Sequence, residues 1–331
     1  MDIINQIRYK AGLDRKKIVL CETDDMRTIK AAAYLADNNL ADVILVGSEK
    51  TIRQFALTDS VKLPDAVQFS KIEEGETLDR YAALLQERRK HKGMTMDQAL
   101  EVARQPLYFT ALMVAAGDAD GAVAGAVNTT GDVLRAAIQC IGLNEHSDIV
   151  SSIFLMSTMD GQIMTYGDCA VVPYPDEQQL ASIAIDSAAT HKALTGENPA
   201  VALLSFSTYG SAQHERSELV ARATQIVRER KPELNADGEL QFDAAYVESV
   251  AKKKAPDSKV AGKANVYVFP NLDAANIAYK ITERLAGATA TGPVIQGLAK
   301  PMNDLSRGCN WEDIVNTTCV TALMVEAKYP E

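Results

Sequence analysis

The sequence predicts an α/β protein of two three-layer αβα domains with mainly parallel sheets. Three observations carry this. Short apolar strands alternate with longer helical stretches, most strands read as continuous apolar runs, and one central region interrupts the alternation with a hairpin signal. A chain of 331 residues with 47% hydrophobic content can bury a full core and is long for one globule, so two domains follow.

Taken in order, residues 16–21 read as a buried strand, 27–36 as a helix with an Ala-rich packing face and 41–47 as the next strand, a βαβ unit. Residues 78–89 and 96–116 read as helices, and 121–127 as a strand of small residues whose exit at Thr129 and Thr130 opens another helix. Between residues 148 and 172 two apolar segments flank Asp160-Gly161, a hairpin turn rather than a crossover helix, and the domain boundary is placed just before it. Helices are then expected over 177–194, 215–230, 242–253 and 273–286, with strands over 200–205 and 264–269; Lys252, Lys253 and Lys254 make a solvated helix end. Residues 293–301 read as a return crossing, and a last helix over 311–327 completes the first domain. The expected division is 1–146 plus 296–331 for the discontinuous first domain and 147–295 for the second.

Composition excludes several classes. A net charge of −10 argues against nucleic acid or an anionic membrane as the main partner. The first 17 residues have no apolar signal core and no run approaches the roughly 20 residues of a membrane span, so a cytoplasmic protein is expected. Five scattered cysteines without a C-x-x-C pair and four separated histidines disfavour a zinc site, a disulfide framework and a metalloenzyme. The Walker loop and the G-x-G-x-x-G dinucleotide fingerprint are both missing.

The most informative stretch is residues 297–309, GLAKPMNDLSRGC, running into the last helix. A glycine-flanked loop that brings a hydroxyl and a guanidinium to a helix start combines directed donors with unpaired N–H groups and the positive end of a helix dipole. Two readings of Asp313, just inside that helix, stand: a carboxylate favoured there by the dipole, or a functional group. Ser306 and Arg307 are likewise a cap and a surface arginine or an anion site. Residues 127–135, VNTTGDVLR, read either as a capped strand-to-helix turn or as a ligand site at the carboxyl end of a parallel strand, with Arg135 one turn in. The basic cluster at 88–92 ends a helix, where cations suit the dipole.

Together with RKHKGM (89–94), DCAVVPYP (168–175), SFSTYGSA (205–212) and DSKVAGK (257–263), these two segments give six collinear matches by which the chain resembles the phosphate acetyltransferases of the phosphate acetyl/butyryl transferase family over essentially its whole length. The resemblance implies an isopropylmalate dehydrogenase-like fold with its active site in the interdomain cleft. The implied reaction is reversible acetyl transfer between acetyl phosphate and coenzyme A by direct thiol attack in a ternary complex, giving acetyl-CoA and phosphate. No metal and no bound cofactor are implied, and a homodimer is, with the hairpin around Asp160-Gly161 as a contact region.

Carried over by position, the general base falls on Asp313, the loop serine on Ser306 and the phosphate-binding arginine on Arg307. Arg89, Arg135 and Arg284 are implied to hold phosphates of coenzyme A or the acyl phosphate, with Thr129, Thr130, Asn303 and Cys309 also in the substrate site; Cys309 is read as packing rather than as a nucleophile. A free thiol near pKa 8.5 and a free aspartate near 3.9 put full proton transfer at roughly 6 kcal/mol, so transfer is expected to run alongside attack. Asn128, Gly131, Ala136 and Tyr209 depart from the family's usual residues, Tyr209 at a place often basic. The absence of a large extra N-terminal region matches the short form of these enzymes. The rival readings are transfer of a longer acyl group, an acetyl-CoA-binding regulatory module of the kind attached to malic enzymes, and a dehydrogenase on a related fold.

Overall fold

The computed structural model describes residues 3–326, which divide into two compact units, Ile3–Asn144 with Leu298–Glu326 and Glu145–Gly297. The first unit opens with α1 (Ile3–Leu13), β1 (Lys17–Leu20), α2 (Met26–Asp37), β2 (Asp42–Val46), α3 (Glu49–Leu57), β3 (Gln68–Ser70), α4 (Glu76–Arg89), α5 (Met96–Ala103), α6 (Pro106–Ala116), β4 (Gly121–Ala124) and α7 (Thr130–Cys140). The second holds β5 (Ser151–Ser157), β6 (Ile163–Gly167), α8 (Glu177–Thr195), β7 (Val201–Leu204), α9 (Glu215–Arg230), β8 (Ala236–Leu240), α10 (Phe242–Tyr246), α11 (Glu248–Lys254), β9 (Val266–Val268), α12 (Leu272–Ala286) and β10 (Thr289–Gln296). The chain then returns to the first unit with β11 (Met302–Asp304) and α13 (Trp311–Met324). Ala327, expected in that last helix, lies outside the described residues.

The first unit's five-stranded sheet runs β11-β4-β1-β2-β3 and is parallel throughout. Its central strands are short and apolar on both faces, as a sheet covered by helices requires: Ile18, Val19 and Leu20 and all four residues of β4 are buried. Helix ends follow local chemistry. Pro106 opens α6, where its missing N–H costs nothing, and Gly117 closes it in the left-handed region at φ 87°. A Thr95/Gln98 capping box starts α5.

The second unit's six-stranded sheet runs β10-β5-β6-β9-β7-β8. The hairpin expected at Asp160-Gly161 is present: β5 and β6 pair antiparallel, with Thr158 N donating to Gln162 O and Gly161 at φ 86°. Helix α8 is buried on nearly every side, and two apolar clusters lie in this unit, one holding Phe154, Tyr166 and Tyr267, the other Leu180, Val201 and Val266.

Four expectations are corrected. The return crossing does not begin at Pro293: Val294, Ile295 and Gln296 pair with Ile153, Ser152 and Ser151 in the antiparallel edge strand β10. Within the stretch read as an irregular loop, Met302, Asn303 and Asp304 form a buried strand in register with Ala122, Val123 and Ala124. The helix expected over 242–253 is two helices, because Val247 takes an extended conformation. The helical stretch 96–116 divides before Pro106, whose ring biases Gln105 to extended backbone.

Candidate active site

Because β11, β4 and β1 are neighbours in a parallel sheet, the loops leaving their carboxyl ends share one edge, the usual place for a ligand in such folds. After β1 comes Glu22, which is 5% exposed. Its carboxylate gathers the backbone N–H groups of Gly125, Ala126, Val127 and Asn128 at 2.8 to 3.0 Å, and the Asn128 side-chain amide at 2.8 Å. Loop 125–129 is thereby fixed by an internal anion. The departure at Asn128 has a structural use, since its amide is spent on Glu22.

Arg27, in the first turn of α2, fastens the second loop to the first. It donates from Nη1 to the carbonyls of Arg307 and Cys309 and from Nη2 to that of Ala126, each at 2.8 Å. Asp25 holds the guanidinium through Nε at 3.0 Å and Nη2 at 2.6 Å, and this pairing keeps the Asp25 carboxyl below the usual carboxylate range. A third tie joins α7 to β11, where the Thr130 hydroxyl donates to Asp304 Oδ2 at 2.6 Å.

Loop 305–310 presents Ser306 and Arg307 to solvent. Ser306 Oγ accepts from Gly308 N at 3.2 Å. The Arg307 guanidinium makes no hydrogen bond or ion pair among the described residues, in contrast to Arg27, which is fully engaged; only the backbone carbonyl of Arg307 is held. Asp313 is the third residue of α13 and takes part in a capping box. Its Oδ2 accepts from Asn310 N at 2.8 Å, and its own N–H donates to Asn310 Oδ1 at 3.0 Å. The helix-dipole reading of Asp313 therefore holds, and it leaves Oδ1 without a hydrogen bond from the described residues. Cys309 is 8% exposed, with Arg27 Nη1 at 3.7 Å from Sγ; burial pushes its thiol up, against the pull of Arg27. The Asn303 side chain is fully buried and donates to Thr321 Oγ1 at 2.9 Å, anchoring β11 to α13.

Thr129 caps α7, its hydroxyl accepting from Asp132 N at 3.2 Å and donating to Asp132 Oδ2 at 2.7 Å. Asp132 also holds Arg135 Nη1 at 2.6 Å. Arg135 lines a cavity of about 560 Å³ with Cys21, Glu22, Tyr108 and Asn128. Arg89 ends α4 with a buried Nε that has no hydrogen-bond partner among the described residues. Burial raises the Tyr108 phenol, and the charges of Arg135 and Arg89 both act to lower it. Arg284 lies in α12 of the second unit, its side chain 79% exposed and 3.4 Å from Glu283. Sequence reasoning did not single out Glu22, Arg27 or Asp304. Their roles come from contacts between segments far apart in the chain, and no local spacing signals them.

The first unit thus defines a class: a parallel αβ sheet whose carboxyl edge carries rigid loops, a free guanidinium, a second arginine pair and two helix starts, all suited to phosphate. The chain matches the family model described as phosphate acetyl/butaryl transferase over residues 2–322, and it belongs to that family. It is 47% identical to the phosphate acetyltransferase of Acetivibrio thermocellus, covering 99% of each chain, and 44% identical to that of Bacillus subtilis, covering 97% of this chain and 98% of that one. Among solved structures it is similar to a phosphotransacetylase from Streptococcus pyogenes, with 38% identity, a TM-score of 0.92 and 98% of both chains covered.

Proposed function

We propose that this protein transfers an acetyl group reversibly between acetyl phosphate and the thiol of coenzyme A, by direct attack within a ternary complex. Membership in the family and full-length similarity to named phosphate acetyltransferases support the reaction. The observation that carries it is an Arg307 guanidinium left unengaged among the described residues and, six positions on in the first turn of α13, an Asp313 whose capping box leaves Oδ1 open. In the forward direction the thiol sulfur bonds to the carbonyl carbon, the bond from that carbon to the phosphoryl oxygen breaks, and phosphate leaves with the electron pair. Asp313 Oδ1 takes the thiol proton as the sulfur attacks. Arg307 and Ser306 stabilise the charge that builds on the carbonyl oxygen and the departing phosphate. Arg89, Arg135 and Arg284 each serve a phosphate of coenzyme A or of the acyl phosphate, and Thr129 and Thr130 shape the start of α7 in the substrate site.

No metal or bound cofactor takes part in this reading. The protein acts in the cytoplasm as a homodimer. Five free cysteines fit a reducing compartment, and no helix among the described residues is long and apolar enough to cross a membrane. Thioester formation from coenzyme A with acetyl, propionyl and butyryl phosphate tests the reading. Turnover preferring acetyl is expected, with Asp313→Asn at least about 100-fold slower at nearly unchanged KM and Arg307→Gln losing both turnover and acetyl phosphate affinity. Coenzyme A binding without turnover in the wild type would overturn it.

A further inference from the structure

We infer that Asp304 is a positioning residue for the transfer proposed above, locking the start of α7 and the Ser306-bearing loop in one register through Thr130. The inference rests on that reading of the site. Asp304 is the last residue of β11, two positions before Ser306, and is 3% exposed. Its Oδ2 takes the Thr130 hydroxyl, from a residue 174 positions away, at 2.6 Å. Its Oδ1 is buried with no hydrogen-bond partner among the described residues. The backbone on either side is equally constrained. Leu305 N donates to Ala124 O at 2.9 Å, and a Cβ on Gly125 would sit 2.3 Å from Asp304 Oδ1 and 2.6 Å from Leu305 N.

Stability alone does not call for a carboxylic acid here. An amide or a hydroxyl would accept from Thr130 without burying an ionisable group that has one oxygen unmatched, and such a group is costly in a water-poor site. The strands packed beside it bring no cation. The charged group that acts on Asp304 is Glu22, from the end of β1, and it is of the same sign; β4 contributes Gly125, and α7 contributes Thr130. Burial, helped weakly by Glu22, pushes the Asp304 carboxyl up to about 6 against the Thr130 hydroxyl and the Leu305 backbone N–H. Local rules broken without gain in stability mark sites kept for function. What Asp304 supplies is a strong, short-tethered acceptor that converts the position of α7 into the position of Ser306 and Arg307, where displacements near 1 Å cost on the order of 100-fold in rate.

The test is steady-state acetyl-CoA formation by the full chain carrying Asp304→Ala, Asp304→Asn, Thr130→Val, or Thr130→Val with Asp304→Ala. Each truncation is expected to lower kcat about 10-fold or more with KM for coenzyme A within about 3-fold, and the double variant to fall no further than the worse single one. Asp304→Asn, which keeps only a neutral and weaker acceptor for Thr130, should fall between wild type and Asp304→Ala in kcat and lose an inflection near pH 6 in the wild-type kcat profile. Thermal melting of each variant separates lost fold from lost positioning. If Asp304→Ala does not fold, Thr130→Val and Asp304→Asn decide. Active wild type with truncation variants at wild-type kcat, or with additive losses in the double variant, overturns the inference alone. An inactive wild type overturns the proposed function and the inference with it.

Discussion

Asp304 carries its carboxyl into a place where ionisation is penalised, and this has a consequence for stability with a definite sign. A free aspartate ionises near 3.9; in the folded chain burial raises the group to about 6. The folded state therefore holds this proton more tightly than the unfolded one. Its contribution favours folding below about pH 4 and is lost as pH rises to about 6, a swing of about 3 kcal/mol. Urea unfolding from pH 4.5 to 7.5 should show the wild type losing ground to Asp304→Asn as pH rises. Parallel curves for the two proteins would contradict the assignment. Residues differ in how openly the sequence declares them. Ser306 and Arg307, on a glycine-flanked loop, and Asp313, in the first turn of the helix that follows, stand within eight positions of one another, so their nearness along the chain was legible. Glu22, Arg27 and Asp304 were not, because each acts on backbone or side chains about 100 or more positions away.

Strand β11 shows the same divide among elements. Met302, Asn303 and Asp304 have neither the β-branched composition nor the length that mark a strand, and Pro301 before them reads as loop. They are a strand because β4 offers an unpaired edge and because Thr321 and Thr130 satisfy the polar side chains. By contrast the hairpin turn followed directly from the Asp160-Gly161 turn residues, and α9 spans the residues 215–230 expected of it. The close approach of β4 and β11 makes Gly125 a sensitive position. Its φ of 111° is one L side chains rarely adopt, and any Cβ would collide with Asp304 and the Leu305 backbone. Gly125→Ala should lower unfolding free energy by about 3 kcal/mol or more, read from the urea midpoint. A wild-type midpoint would show that the two strands do not meet this closely.

At the scale of the whole molecule, the second unit leaves an apolar stripe on α12 unpaired. Ile277, Ile281 and Leu285 repeat every four residues at 57%, 52% and 83% exposure, and Met159 from the hairpin is 83% exposed. Gly287, at the end of α12, would meet Met159 Sδ at 2.9 Å if it carried a Cβ, so hairpin and helix end join into one patch. Such a patch is what the proposed homodimer would bury. Light scattering should report a dimer for the wild type and a monomer for Ile281→Asp with Leu285→Asp; an unchanged mass would place the interface elsewhere.

The central claim is that the acetyl group passes directly from phosphate to sulfur. Burial of Cys309, which pushes its thiol up, leaves Ser306 as the exposed nucleophile in loop 305–310 and makes the claim sharply testable. Labelled inorganic phosphate incubated with acetyl phosphate and the enzyme, with and without coenzyme A, decides it. Direct transfer predicts that label enters acetyl phosphate only when coenzyme A is present. Exchange at a comparable rate without coenzyme A would require an acetyl-enzyme and would contradict the account.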